Sequence, residues 1–113
     1  MPRGEYLGEL EQMIMLAVAR LEGVGYGMAI LDELLERTGT EVAVASVYSA
    51  LDRLERRDFV TSEMGEPTPE RGGRAKRFYT LTPAGAYALA RSRAALDALW
   101  EGVDLYVDGS LAP

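Results

Sequence analysis

The sequence contains no cysteine and no histidine. Without cysteine there are no disulfides and no thiolate chemistry. Without either residue a zinc site is improbable and histidine acid–base catalysis is impossible. Long apolar runs are also missing. The longest, Met13 to Ala19, is far too short to span a bilayer. The first residues carry Glu5, Glu9 and Glu11 where a secretory leader would be basic and then apolar. These features predict a cytoplasmic protein with no metal, no cofactor and no membrane association. What is present is enough for one domain: 113 residues, 48% of them apolar. A core of that size is modestly stabilised, so pairing with a second copy would add to it.

Positive charge is scarce but concentrated. The net charge is −6, yet residues 53 to 77 hold seven of the 12 basic residues: Arg53, Arg56, Arg57, Arg71, Arg74, Lys76 and Arg77. Fields of exposed charges decay within about 10 Å at ordinary salt, so this local excess outweighs the total for a docking face.

Periodicity predicts four helices and a hairpin. The first helix covers Leu7 to Leu21, with Leu10, Met13, Ile14, Ala17 and Leu21 as one apolar stripe, closed by Gly23 and Gly25. The second covers Gly27 to Thr38, with Ile30, Leu31, Leu34 and Leu35 inward and Gly39 as its stop. The third covers Val44 to Arg57. Val44, Val47, Leu51 and Leu54 share its inner face, and Ser46, Ser49, Arg53 and Arg56 its outer one. Strands follow at Phe59 to Met64 and Ala75 to Leu81, around a loop from Gly65 to Gly73. Of Phe78 and Tyr79, one is expected in the core and the other on the hairpin surface. Thr82-Pro83 opens a last helix, as a cap followed by a proline that lacks an N–H the first turn does not need. It runs to about Glu101, and the pattern leaves a continuation to Val107 open before a frayed tail. Leu89, Leu96 and Val103, with Ser92, Leu99 and Tyr106 interleaved, form a broken heptad seam suited to pairing with another helix.

The order helix, helix, helix, strand, basic loop, strand, long helix predicts a mainly α fold with a two-stranded β wing. This is a winged helix-turn-helix over residues 1–82 with a C-terminal dimerisation helix and tail over 83–113, compact as one domain overall. Small polar residues let the third helix sink into a major groove about 12 Å wide. Ser46 and Ser49 are placed to donate to phosphates or base edges, and Arg53 to reach a guanine edge or a phosphate. Tyr48 sits between the two faces. Either its hydroxyl reaches a phosphate or the residue is core alone. The glycines of the hairpin loop allow close approach to a backbone, and its basic residues neutralise phosphates. Trp100 either lines a cavity between two copies or is plain packing, and Met13 and Met15 read as core filling.

Several segments together resemble the PadR family of bacterial regulators. Leu7-Gly8-Glu9-Leu10-Glu11 is similar to the opening of its first helix and Gly25-Tyr26-Gly27-Met28-Ala29-Ile30 to the start of its second. Ser46 to Glu55 is similar to its recognition helix. Arg71 to Gly85, with Leu81-Thr82-Pro83-Ala84-Gly85 at its end, is similar to its wing and the turn into its C-terminal helix. The resemblance covers about residues 7 to 90. It implies a homodimer joined through the first and last helices, bound to double-stranded DNA at a near-palindromic operator, usually as a repressor, with release by a small-molecule effector. It places Tyr48, Ser49 and Arg53 on the recognition helix and Arg71, Arg74 and Lys76 on the wing. The expected dimer interface is Leu10, Met13, Leu89, Leu96, Leu99, Trp100 and Val103. The chain departs from the family at two places. Ala45 stands where the family often has Gly, and Asp58 where Gly usually ends the recognition helix, which requires a left-handed backbone there.

The acidic balance and Asp58 keep a second function in view: a winged-helix protein-interaction module that has lost DNA binding. An enzyme is disfavoured, since no nucleophile–base pair and no Walker-type glycine loop is present.

Overall fold

A computed structural model describes residues 6–66, 75–107 and 109–111. The wing tip, including Arg71 and Arg74, therefore lies outside the described residues. The elements run α1 (Glu9–Leu21), α2 (Gly27–Thr38), α3 (Val44–Arg56), β1 (Val60–Met64), β2 (Arg77–Leu81), α4 (Pro83–Trp100), β3 (Tyr106–Val107) and β4 (Ser110–Leu111). The mainly helical fold with a two-stranded antiparallel wing matches the sequence expectation.

Local chemistry sets the helix ends. At the start of α1 the Glu11 carboxylate accepts from the Gly8 N–H at 3.1 Å, and Glu9 and Glu11 both complement the positive end of the helix. Leu7, expected as the first helical residue, precedes the helix and is buried. Glu22, not a glycine, makes the left-handed stop of α1, at φ 45°. Gly39 ends α2 at φ 72°. The end of α3 is a Schellman turn: Phe59 N–H donates to Leu54 C=O and Asp58 N–H to Glu55 C=O, with Asp58 left-handed at φ 63°. The expected backbone at Asp58 is thus the observed one.

α1, α2 and α3 pack around Ile14, Met15, Val18, Ile30, Leu34, Val47, Leu51 and Leu54. β1 and β2 close one side in antiparallel register from Val60↔Leu81 to Met64↔Arg77, placing Val60 and Tyr79 in the core. The Tyr79 N–H also donates to Gly25 C=O at 2.8 Å, which fastens the hairpin to the α1–α2 turn. Phe78 takes the outer side, half-buried.

Two residues expected inward face outward instead: Leu35 is 41% and Val44 46% exposed. Both line an open depression with Leu31 and Val42 beside the connector between α2 and α3, where no other element covers them. α4 stops at Trp100 and does not continue to Val107. The expected frayed tail instead contains a short antiparallel pairing, Tyr106↔Leu111 and Val107↔Ser110, turning at Gly109 (φ 82°).

α4 is held at its base and projects from the body. Thr82 Oγ1 accepts from Gly85 N–H and donates to Asp58 C=O. Ala88 and Ser92 are buried, whereas Leu96, Leu99, Trp100 and Val103 are exposed. The projection makes the chain 55 × 35 × 22 Å, with a radius of gyration of 16.6 Å. A compact domain of this length has one of about 13 Å.

Candidate nucleic-acid interface

A 3.6-residue period converts the buried set Val47, Ala50, Leu51 and Leu54 into a definite outer line on α3. Opposite them lie Ala45, Ser49, Asp52 and Arg56, all exposed. Ser46 and Arg53 lie on one flank of that line, and Tyr48 on the other. All four expected α3 contacts, Ser46, Tyr48, Ser49 and Arg53, are exposed.

The flank carrying Arg53 faces α1. Arg53 Nη1 donates to Ser49 Oγ at 3.2 Å, and its Nε lies 3.8 Å from the Glu11 carboxylate. Arg57 Nη1 is 3.9 Å from the same carboxylate oxygen, and its guanidinium lies 4.7 Å over the Phe59 ring. A groove-facing arginine of the sequence reading is therefore already engaged within the chain.

The flank carrying Tyr48 faces α2 and the hairpin. The Tyr48 ring and hydroxyl occupy the space that a side chain on Gly27 would need, which explains a buried glycine at the first position of α2. Tyr26, one residue earlier, holds the base of the wing. Lys76 Nζ sits 4.2 Å over its ring, and Phe78 meets it edge-on at 5.8 Å. Phe78 in turn fills the space beside Gly65, whose N–H donates to Lys76 C=O at 2.7 Å. Further along, Ser62 Oγ donates to Glu55 at 2.6 Å and accepts from Arg77 Nη1 at 2.9 Å, tying the middle of the hairpin to α3. The wing base thus emerges beside the outer face of α3, and Tyr48 and Lys76 meet through Tyr26 and Gly27. Tyr79, beneath this network, has its phenol pushed up from its ordinary pKa of 10.0. Burial is the main cause, partly offset by Arg77 and reinforced by Glu55, Asp52 and Tyr48.

Of the expected interface residues, Leu10, Met13 and Leu89 are half-buried against the chain's own core, while Leu96, Leu99, Trp100 and Val103 are open. Ser92 leaves the proposed seam. It is buried and accepts from the Leu7 N–H. Sequence reasoning did not single out Glu11, Tyr26 or Asp52, and left Arg56 out of the contact set. Arg56 was recoverable, being seven residues on from Ser49. The partners of Glu11 and Tyr26 lie on other elements, where local sequence carries no signal.

Three helices, an antiparallel wing and an exposed polar helix beside it define a winged helix-turn-helix protein. The chain belongs to the PadR-like family of transcriptional regulators, whose family model matches residues 15–91. PadR-family regulators are DNA-binding proteins and not enzymes. The chain is 39% identical over 71 residues to the transcriptional regulator Rv3488 of Mycobacterium tuberculosis, a match covering 63% of each protein. The chain thus matches somewhat less than two thirds of that relative's length. Among solved structures, it resembles a PadR-like transcription factor from Bacteroides fragilis with TM-score 0.71 and 30% identity, over 81% of this chain and 84% of that one. A PadR-family regulator from Eggerthella lenta gives TM-score 0.67 and 25% identity over 83% and 81%. Among the described residues no helix is long and apolar enough to cross a membrane.

Proposed function

We propose that this chain is a cytoplasmic, homodimeric transcriptional repressor that binds a near-palindromic operator and is released by a small effector. The observation that carries the reading is the outer line of α3, exposed along its length on a helix of the diameter that a major groove admits, with the wing base beside it. In this reading residues 1–82 are the DNA-binding unit. Ser46, Tyr48, Ser49 and Arg53 serve the recognition helix, and Arg71, Arg74 and Lys76 the wing.

Residues 83–113 serve dimerisation. The support is the apolar surface left open on α4, where Leu99 is 74% and Trp100 53% exposed. A second copy covering this surface would bury Leu96, Leu99, Trp100 and Val103, with Leu10, Met13 and Leu89 at the margin. The apolar groove formed by Leu96, Leu99, Trp100, Val103 and Leu105 would then lie between the two copies, a place that suits a hydrophobic effector. Twofold pairing would present two recognition helices to successive major grooves about 34 Å apart.

The test is a mobility shift with a fragment from the protein's own promoter region, repeated over a salt series. Binding is expected to weaken steeply as salt rises. Removing both outer α3 arginines together, Arg53→Ala with Arg56→Ala, is expected to weaken it more than Arg3→Ala, and equal losses would count against α3 as the reading helix. Stable binding of a protein partner, with no duplex binding at low salt, would favour an interaction module instead.

A further inference from the structure

Glu11 lies on α1, outside the DNA-contacting set, yet its carboxylate faces the recognition helix. One oxygen is held by the Gly8 N–H, which fixes the group in place. The other lies 3.8 Å from Arg53 Nε and 3.9 Å from Arg57 Nη1. The Glu11 side chain is 17% exposed, against 49% for Arg53 and 36% for Arg57. The anion is thus recessed behind two cations that reach the surface. α1 is in turn pinned from behind: Leu7 N–H donates to Ser92 Oγ on α4, and Leu7 C=O accepts from Gln12 Nε2. The carboxylate cannot swing away without giving up its exposed hydrogen bond to the Gly8 N–H.

A phosphate approaching this flank meets two guanidiniums and one carboxylate. All three groups lie well inside the Debye length of about 10 Å, so salt does not screen Glu11 from that phosphate, and the flank carries one net positive charge and not two. The phosphate must also compete with Glu11 for Arg53, which Ser49 holds in the same orientation. Arg56, on the outer line, is in no such ion pair among the described residues, although Asp52 lies one turn before it on the same line.

Resting on the DNA-binding reading above, we infer that Glu11 is an affinity-setting residue for the operator: it withholds Arg53, and with it one phosphate contact per subunit, from the duplex. Arg56 is then the main α3 cation at the DNA, and Arg53 contributes only in so far as the duplex displaces Glu11.

Glu11→Gln tests this, because glutamine keeps the capping hydrogen bond to Gly8 and loses only the charge. Binding of the purified full chain to its promoter fragment is measured by fluorescence anisotropy over a salt series. Glu11→Gln is expected to bind about two- to fivefold tighter per bound subunit, the range one exposed ion pair spans. Its salt dependence is expected to steepen by about one unit per subunit. Glu9→Gln removes the same formal charge from an exposed neighbour and is expected to change neither quantity comparably. In an Arg53→Ala background the gain from Glu11→Gln is expected to shrink. A second comparison holds even if Glu11→Gln folds poorly: Arg53→Ala is expected to cost less affinity than Arg56→Ala. Equal or weaker binding by Glu11→Gln, an equal gain from Glu9→Gln, or the reverse order of the two arginine variants would overturn the inference while leaving the DNA-binding reading intact. Binding by neither wild type nor Glu11→Gln at low salt would overturn both.

Discussion

Ser92, in the middle of α4, accepts a hydrogen bond at 3.2 Å from the backbone N–H of Leu7, 85 residues earlier in the chain. Both residues are buried. The bond joins the start of the first helix to the last, at the place where α4 leaves the body. Ser92→Ala leaves that N–H without its partner, and stranding a buried donor costs about 1–3 kcal/mol. Urea unfolding at fixed protein concentration is expected to show a loss in that range. A loss below about 0.5 kcal/mol would mean that water reaches the Leu7 amide.

Two buried glycines make contrasting demands. A methyl on Gly85 would run into the Phe59 carbonyl oxygen, a backbone atom locked in the turn between α3 and β1. A methyl on Gly27 would run into the Tyr48 ring, a side chain on a surface helix that can rotate outward. Gly85→Ala is therefore expected to be the more destabilising, with a cost toward the upper end of the roughly 1–3 kcal/mol typical of overpacking a core. Gly27→Ala is expected to cost less and to be partly rescued by Tyr48→Ala. Thermal melts of the two single variants and the double variant decide this.

Asp58 holds a left-handed backbone that favours glycine. Its carbonyl accepts from Thr82 Oγ1 at 2.6 Å, an interaction glycine keeps. Asp58→Gly is expected to stabilise the protein by up to about 1 kcal/mol, because the strain relieved exceeds the chain entropy glycine adds. A lower melting temperature for this variant would show that the Asp58 side chain contributes more than its backbone costs.

Tyr79 predicts a pH dependence at the alkaline end. Burial raises its pKa in the folded state above the ordinary 10.0, so the folded chain keeps the phenolic proton where the unfolded chain releases it. Stability from this residue is fully present below pH 10.0 and falls as the pH rises through the raised folded value. Tyr79→Phe is expected to flatten that part of the fall. Urea midpoints for both proteins between neutral pH and the alkaline limb measure it, and parallel curves would assign the fall to other groups.

Much of the fold was legible along the chain. The second helix follows from periodicity and a glycine stop, and the third from an apolar face at three- and four-residue spacing, both within one residue of the observed ends. The Thr82-Pro83 start of α4 was readable because its chemistry is local. Where the reading missed, the cause was tertiary. Leu7 resembles a helical residue by pattern but is buried ahead of α1, against α4. Leu35 and Val44 look like core by spacing, but they line an open depression beside the α2–α3 connector that no other element covers. Ser92 fits a dimer seam by heptad position, yet it is spent inside its own subunit.

The sequence alone determined the order of elements and most of the polar and apolar face of each helix. Each of these depends on residues within a turn or two of one another. The three-dimensional packing alone decided which cations on α3 are committed and which are open. Arg53 and Arg56 differ little in sequence context. Only packing sets Glu11 of α1 against Arg53 and leaves Arg56 on the outer line, because an electrostatic partner acts through space and leaves no trace in the spacing of residues along the chain.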